Sequence, residues 1–387
     1  KNVKTVIGSW KSDKSILYKM VGDAYYDSSM YRESFDMYDR GLVLGVVNMP
    51  LELSLGKAYL NLGNIDSAKA QFKKSGYQGD AEMEAKLLLA YIYALEDKEK
   101  AENAIKGVDP SDSMKIYFEE LEGVLGSFTD DEKFNATKIS RIYLNNGYPY
   151  LAIKKLEPLK DEMAEYLEGM YYLGRAYYAN GENDKAIEIL DSALSLGGME
   201  GEILHLKAKA YVKKNDLDNA IKSFESSLGY AGSEFGKDIV QEYVQYLMSK
   251  SQALRAYDVV RDLLQVKPSE PYLSFLAIEI SNKAEDGAKV EYYISQLEKL
   301  ELDNKDKEKF LGYKIGFLLK EGKDVETELG ELFELDRYNP EYYLLLAKDY
   351  VSKNDNEMAI QSLEKALEYD LGTSISEDSS KLLSSLR

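Results

Sequence analysis

Six tyrosines recur along this chain at a nearly constant interval. The steps between them are 34, 34, 50, 34 and 34 residues, and each tyrosine stands three residues after a small residue. A fixed period of this length is typical of one helical hairpin that is copied many times, each copy burying its apolar faces against its neighbours. The six positions are Tyr25, Tyr59, Tyr93, Tyr143, Tyr177 and Tyr211.

A second pattern accompanies the tyrosines. Nine residues after most of them stands a small or short residue, a bulky residue follows four positions later, and a further position follows three residues on. Spacings of three and four place residues on one helix face, so each hairpin has two apolar stripes, and the small residues let two helices approach closely. The pattern resembles the tetratricopeptide repeat. A close match is Leu173-Gly174-Arg175-Ala176-Tyr177 followed by Ala186, Leu190 and Ala193.

The resemblance implies an all-α protein, a right-handed α-solenoid of about ten tetratricopeptide-like helix hairpins with one inserted helix and a C-terminal capping helix. We expect an N-terminal leader over 1–14, three repeats over 15–108 and seven repeats over 131–372. The inserted segment covers 109–130 and the capping helix covers 373–387. The tyrosine column is expected to lie in the core. The scarcity of proline, seven residues in 387, agrees with a nearly continuous helical chain.

The one long step, from Tyr93 to Tyr143, predicts an extra helix over about 112–126. Asp109-Pro110-Ser111 is a typical helix start, and an apolar stripe follows it. Because alternating helices cannot absorb an odd helix without a change of direction, we expect a kink or a subdomain boundary near 108–131. Alternatively, the helix replaces a weak half-repeat and leaves the superhelix smooth. The stripe consists of Met114, Tyr117, Phe118, Leu121 and Leu125.

Charge and cysteine content restrict the partners and the location. The chain has 49 basic and 68 acidic residues and a net charge of -19, which disfavours nucleic acid as a partner. No apolar run of 18 residues is present, so we expect no transmembrane segment. The absence of cysteine favours an extracytoplasmic protein, and a polar leader with a single Trp10 would suit a bacterial surface lipoprotein of the tetratricopeptide type. A cytoplasmic location is the alternative.

Catalytic motifs are missing from the sequence. It has a single histidine, His205, and no phosphate-binding loop, nucleophile elbow or zinc-protease motif. We therefore expect no enzyme activity, no cofactor, no catalytic residue and no metal site.

The candidate binding residues lie between the packing positions. In tetratricopeptide arrays the first helix of each hairpin lines a concave groove, and the resemblance places a basic column there, at 34-residue spacing. Residues 134–215 contain equal numbers of basic and acidic side chains, in contrast to the acidic chain as a whole. Alternatively, these cations are solvated or paired with acids such as Glu168 or Glu202. The candidate groove residues are Arg141, Asn145, Tyr171, Arg175, Tyr178, His205, Lys209, Lys213 and Gln241.

These residues predict a non-enzymatic scaffold that binds a protein or an extended, acidic peptide in its groove. Arginine offers paired hydrogen bonds to carboxylates, and tyrosine adds rigid contact area. The pairs Thr137/Arg141 and Tyr171/Arg175 differ from the lysine and asparagine of repeats that clamp chaperone tails, so such tails are not implied. Two alternatives stay open, a peptide-sensing regulatory solenoid and a carbohydrate-binding surface lipoprotein.

Overall fold

The structure is a computed structural model that describes residues 14–44, 49–74, 76–230, 236–370 and 372–387. Within these ranges the regular secondary structure is helical and contains no strand, which confirms the all-α prediction. The chain divides into two compact units, Lys1–Ser233 and Glu234–Arg387. Trp10 and nearly all of the expected leader lie outside the described residues.

The first unit contains six helix hairpins and one additional helix in its described part. A short 3₁₀ helix, Glu157–Leu159, follows the fourth hairpin. Its α-helices are α1 Lys14–Asp27, α2 Tyr31–Val43, α3 Met49–Asn61, α4 Ile65–Phe72, α5 Asp80–Tyr93, α6 Lys98–Ile105, α7 Lys115–Gly126, α8 Glu132–Asn145, α9 Pro149–Leu156, α10 Leu167–Ala179, α11 Asn183–Ser195, α12 Glu200–Lys213 and α13 Leu217–Leu228.

The second unit contains four hairpins and a C-terminal helix in its described part. Its helices are α14 Gly236–Ser249, α15 Ala253–Val266, α16 Pro271–Lys283, α17 Gly287–Leu297, α18 Asn304–Lys320, α19 Glu326–Leu335, α20 Pro340–Ser352, α21 Asn356–Tyr369 and α22 Ser374–Leu386. The last helix, α22, covers the final hairpin by packing Leu383 against Leu344 and Leu363, which is the role of a solenoid cap.

The turns between paired helices contain residues with positive φ, a backbone conformation that only certain residue types adopt easily. Gly181 follows α10 with φ 83°, and Asn215 follows α12 with φ 56°. Glycine has no Cβ to clash in this left-handed region, and asparagine tolerates it. The Asn and Gly clusters therefore close the hairpins.

Within a hairpin, a glycine of the first helix faces a large side chain of the second. A Cβ on Gly56 would lie 2.4 Å from Phe72, and one on Gly174 would lie 2.7 Å from Cδ2 of Leu190. Because real Cβ atoms do not approach other atoms this closely, the helices reach this separation only with glycine at these positions. The small-to-large pairing expected from the sequence is present.

The tyrosine column is buried at two of its six positions and only partly buried at the other four. Tyr143 and Tyr177 are buried. The other four, Tyr25, Tyr59, Tyr93 and Tyr211, are of intermediate exposure. The prediction of a uniform core column is therefore too simple.

The inserted helix is α7, and it packs against α6 and α8 inside the first unit. Phe118, Leu121 and Leu125 of its expected stripe are buried, but Tyr117 is 40% exposed. The two compact units separate between Ser233 and Glu234, so 108–131 lies within the first unit, and the kink or subdomain boundary expected there stays a prediction.

One position of the second unit departs from the repeat pattern. Lys314 of α18 stands where the pattern has a small residue, and its ammonium lies 2.9 Å from Glu298 and 3.1 Å from Glu328. Burial removes part of the hydration of this ammonium, and the two carboxylates offset that cost.

Candidate functional site

The first helices of the second and third hairpins are covered by the chain itself. Helix α9 packs against α3, although five helices separate them in sequence. The hydroxyl of Tyr143 donates to the main-chain carbonyl of Tyr91 at 2.8 Å, and the ring of Tyr148 lies 6.1 Å from the ring of Tyr91. Tyr91 occupies the groove position equivalent to Arg141, and it is buried. This part of the groove is therefore not open to a ligand.

Polar contacts along the covered surface show how closely it is packed. The ammonium of Lys155 donates to the carbonyl of Leu95 at 3.0 Å, and burial lowers the pKa of Lys155 although Glu132 works in the opposite direction. The amide of Asn61 donates to the hydroxyl of Tyr26 at 2.8 Å. Side chains at groove positions of the early repeats thus serve internal packing.

A cleft of about 480 Å³ remains between α1, α3 and α5. Its basic side chains are already paired, Lys19 with Asp23 at 2.7 Å and Lys57 with Glu84 at 2.8 Å. The internal pairing leaves little unpartnered charge for a ligand in this cleft.

Three consecutive first helices, α8, α10 and α12, carry most of the candidate residues. Helix α8 contacts α10, and α10 contacts α12. Nη2 of Arg175 donates to Oδ1 of Asn145 at 3.3 Å, so two candidate residues on adjacent helices meet directly. Arg141 is exposed, and in the described part of the chain it forms no hydrogen bond or ion pair. We call the surface of α8 and α10 that contains Arg141, Asn145, Tyr171 and Arg175 the basic face, and Lys209 of α12 stands at the equivalent repeat position of the next hairpin.

Two adjacent tyrosines form the aromatic part of the basic face. The rings of Tyr171 and Tyr172 are 5.4 Å apart in an edge-on arrangement, and the guanidinium of Arg175 lies 5.9 Å from the Tyr172 ring. Burial raises the pKa of Tyr171, Arg175 lowers it, and Tyr172 and Glu202 raise it further. Tyr171 therefore lies within electrostatic range of a cation on its own helix and of an acid on α12.

The remaining candidate groove residues differ in their exposure and their contacts. The ring of His205 lies 6.0 Å from that of Phe224, a buried residue of α13, so His205 leans towards the interior of its hairpin. Lys209 and Tyr178 are half-buried, and Lys213 is exposed. Gln241 belongs to α14 in the second unit and is half-buried.

Sequence reasoning missed Tyr172 and a group of lysines elsewhere in the first unit. Tyr172 follows a candidate residue directly, and its contact with Arg175 arises from a spacing of three on one helix. The lysines Lys69, Lys73, Lys100 and Lys154 line a crevice of about 1090 Å³. Pairs at a spacing of four, Lys69 with Lys73 and Tyr150 with Lys154, were visible in sequence, but their convergence depends on the fold.

Metal and membrane sites find no support in the described ranges. No group of three or more His, Cys, Asp or Glu residues there is placed to hold a metal ion. None of the helices described is both long enough and apolar enough to span a bilayer.

Stacked helix hairpins with a polar face on their first helices define this chain as a helical-repeat solenoid. Models of the tetratricopeptide repeat match residues 53–75, 201–233 and 340–372, and a second model of the same repeat matches 168–196. The last three segments correspond to the hairpins α12–α13, α20–α21 and α10–α11. The chain therefore contains tetratricopeptide repeats, as the tyrosine spacing predicted.

Several solved structures resemble the chain over most of its length. The Cut9–Hcn1 assembly of APC/C is 11% identical with a TM-score of 0.39, and the match covers 99% of this chain and 98% of that one. Yeast Tom70 is 13% identical with a TM-score of 0.41, covering 96% and 95%. A tetratricopeptide protein from Parabacteroides merdae is 16% identical with a TM-score of 0.42, covering 66% and 98%. A comparison with curated proteins finds no match.

Proposed function

We propose that this protein is a non-enzymatic scaffold that binds a protein or an extended acidic peptide on the basic face. Tetratricopeptide repeats generally serve protein interaction, and the packing of α9 on α3 removes the early groove from consideration. The observation that carries the proposal is the pairing of Arg175 with Asn145 beside an unpartnered Arg141.

The charges on the basic face suit carboxylates. Neither Arg141 nor Arg175 forms an ion pair in the part of the chain that the structure describes, although the net charge is -19. The guanidinium group is planar and can donate two parallel hydrogen bonds to a carboxylate. Tyr171 and Tyr172 supply adjacent aromatic surface that loses little side-chain entropy on binding. An extended peptide with acidic and apolar side chains would engage both features.

The test is fluorescence anisotropy with two labelled peptides, one containing glutamates among leucines and a second with every glutamate replaced by glutamine. The parent protein should bind the acidic peptide, and binding should weaken with added salt because charges on the surface are screened over about 8 Å at physiological ionic strength. The triple variant Arg141→Ala, Arg175→Ala, Lys209→Ala should lose at least about tenfold in affinity, about 1.4 kcal/mol.

The matched control removes three exposed lysines from other surfaces, Lys222→Ala, Lys305→Ala and Lys381→Ala. This control changes the net charge by the same amount as the first triple variant, and it should bind the acidic peptide as the parent protein does. Equal binding of both peptides, or equal loss in both triple variants, would contradict the proposed site. Circular dichroism of each variant verifies that helicity is retained.

We also propose an extracytoplasmic location, supported by the complete absence of cysteine. Fractionation of cells that express the full gene product tests this. Recovery of the protein in the cytoplasmic fraction alone would contradict it.

A further inference from the structure

A crevice in the first unit is created when helix α9 packs over the early hairpins. Its walls come from the α3–α4 turn and α4, from the end of α5 with α6, and from α9. A Cβ on Gly63 would lie 2.8 Å from the ring of Tyr150, so the turn and α9 are in tight contact at one edge. The resulting volume, about 1090 Å³, is sufficient for a small organic ligand.

The positive charges of the lysines in this crevice are only partly balanced by ion pairs. Lys69, Lys73 and Lys154 form no ion pair among the described residues, whereas Lys100 lies 3.1 Å from Asp97. Three acids also line the crevice, but Asp97 accepts the main-chain N–H of Lys100 as a helix cap as well as the Lys100 ammonium. The crevice is therefore slightly basic within a strongly acidic protein.

Lys69 and Lys73 are held over the same aromatic ring. Their ammonium groups lie 4.8 Å and 5.9 Å from the centre of the Tyr93 ring. Lys69 lies on α4 and Lys73 is the C-cap residue of α4, so the two stand four residues apart, a spacing at which like charges repel. The attraction of a cation to the ring face holds each ammonium without neutralising it. An anion bound between them would relieve the repulsion.

Lys154 of α9 adds a third cation to the lining of the crevice. It is exposed and stands one helical turn after Tyr150, whose ring also lines the crevice. All four cations are lysines, which bind phosphate as compact point charges, whereas paired recognition of carboxylates favours arginine. The crevice thus differs chemically from the basic face, where the cations at the centre are arginines.

We propose that this crevice binds a small phosphate-rich anion through Lys69, Lys73 and Lys154, with Tyr93 and Tyr150 as the flat walls of the site. The shared chemistry of its ligands is a chain of phosphate groups. Free inorganic polyphosphate and nucleoside triphosphates both carry it. A nucleotide would add stacking of its base on a tyrosine ring.

The test uses sodium tripolyphosphate and ATP without added metal as probes, with isothermal titration and thermal unfolding at constant ionic strength. Binding of either probe to the folded state should raise the melting temperature with probe concentration. Sulfate at matched ionic strength accounts for the general stabilisation that such anions give to folded proteins. Tighter binding of ATP than of tripolyphosphate would assign the nucleotide as the preferred source of the phosphates, and the reverse order would assign inorganic polyphosphate.

The variant Lys69→Gln, Lys73→Gln, Lys154→Gln should lose at least tenfold in affinity for the probe, and the corresponding triple arginine variant should retain binding. The matched control is Lys222→Gln, Lys305→Gln, Lys381→Gln, which should bind like the parent. Absence of binding at millimolar probe would overturn the proposal. So would equal affinity in the crevice variant, or an equal loss in the control, since each would show that the charges act only as part of the general surface.

Discussion

The hydroxyl of Tyr143 donates a hydrogen bond of 2.8 Å to the main-chain carbonyl of Tyr91, a residue 52 positions earlier. In a continuing helix the N–H of Leu95 would donate to this carbonyl, but it donates instead to the carbonyl of Ile92 at 3.3 Å. Tyr143 therefore satisfies a carbonyl that the end of α5 leaves without a helical partner. The same helix end receives Lys155 at the carbonyl of Leu95. Two side chains from the α8–α9 hairpin thus cap the helix that they cover.

We expect Tyr143→Phe to destabilise the first unit by about 1–3 kcal/mol, because a buried carbonyl loses its partner while the ring is retained. Chemical denaturation followed by circular dichroism measures this change. The matched control is Tyr292→Phe, since Tyr292 is 56% exposed, and its effect should be close to zero. Equal stability of the two variants would argue against the hairpin packing as described.

We expect Gly174→Leu to destabilise the protein by about 1–3 kcal/mol through overpacking against Leu190, despite the better helix propensity of leucine. Gly123→Ala is the informative contrast. Gly123 lies inside α7 with no atom near the place of a Cβ, so alanine should stabilise by about 0.5–1 kcal/mol. Melting temperatures should move in opposite directions, and a shift of the same sign would refute the assigned glycine role.

We expect stability to fall at alkaline pH because buried tyrosines resist ionisation. Burial raises the pKa of Tyr91, Tyr143 and Tyr148 above the ordinary value, and it raises the pKa of Tyr77 to about 12. In the unfolded chain these hydroxyls ionise near about pH 10. The stability that these buried, neutral tyrosines contribute is therefore complete below that pH. It is lost as the pH rises above it, because the unfolded chain then ionises while the folded protein resists ionisation.

Tyrosinate absorbance and circular dichroism, recorded together during an alkaline titration, measure this dependence. A late phase of ionisation should coincide with loss of helix, and Tyr148→Phe should make the alkaline loss of stability less steep. Complete ionisation with unchanged helicity would contradict the burial of these rings.

We expect Arg175→Lys to weaken binding of the acidic peptide by about tenfold although the charge is kept. Lysine lacks the planar pair of donors, and one hydrogen bond to a charged group contributes on the order of 1.5 kcal/mol. Arg261→Lys, on an exposed side chain paired with Asp258, is the control and should leave the affinity unchanged. Anisotropy titrations compare the two variants, and equal affinities would exclude a specific role for the guanidinium group.

The repeated hairpins could be predicted from sequence because their causes are local. Gly174 and Leu190 are 16 residues apart, and their contact requires only a helix, a turn and a second helix. The inserted helix was visible for the same reason, since a helix start and an apolar stripe lie within one short segment. The basic column at Arg141, Arg175 and Lys209 followed from the 34-residue period, and its role in binding stays a prediction.

The sequence by itself determined the helix order, the hairpin pairing and the equivalent positions on successive first helices, since these depend on periodicity along the chain. Tertiary structure alone decided that α9 covers α3, that Tyr91 is buried while Arg141 is exposed, and that the two units divide after Ser233. These outcomes depend on contacts between distant residues, such as the one from the Lys155 side chain to the main-chain carbonyl of Leu95, 60 residues apart along the chain. Contacts of that kind join segments far apart in sequence, and no local spacing encodes them.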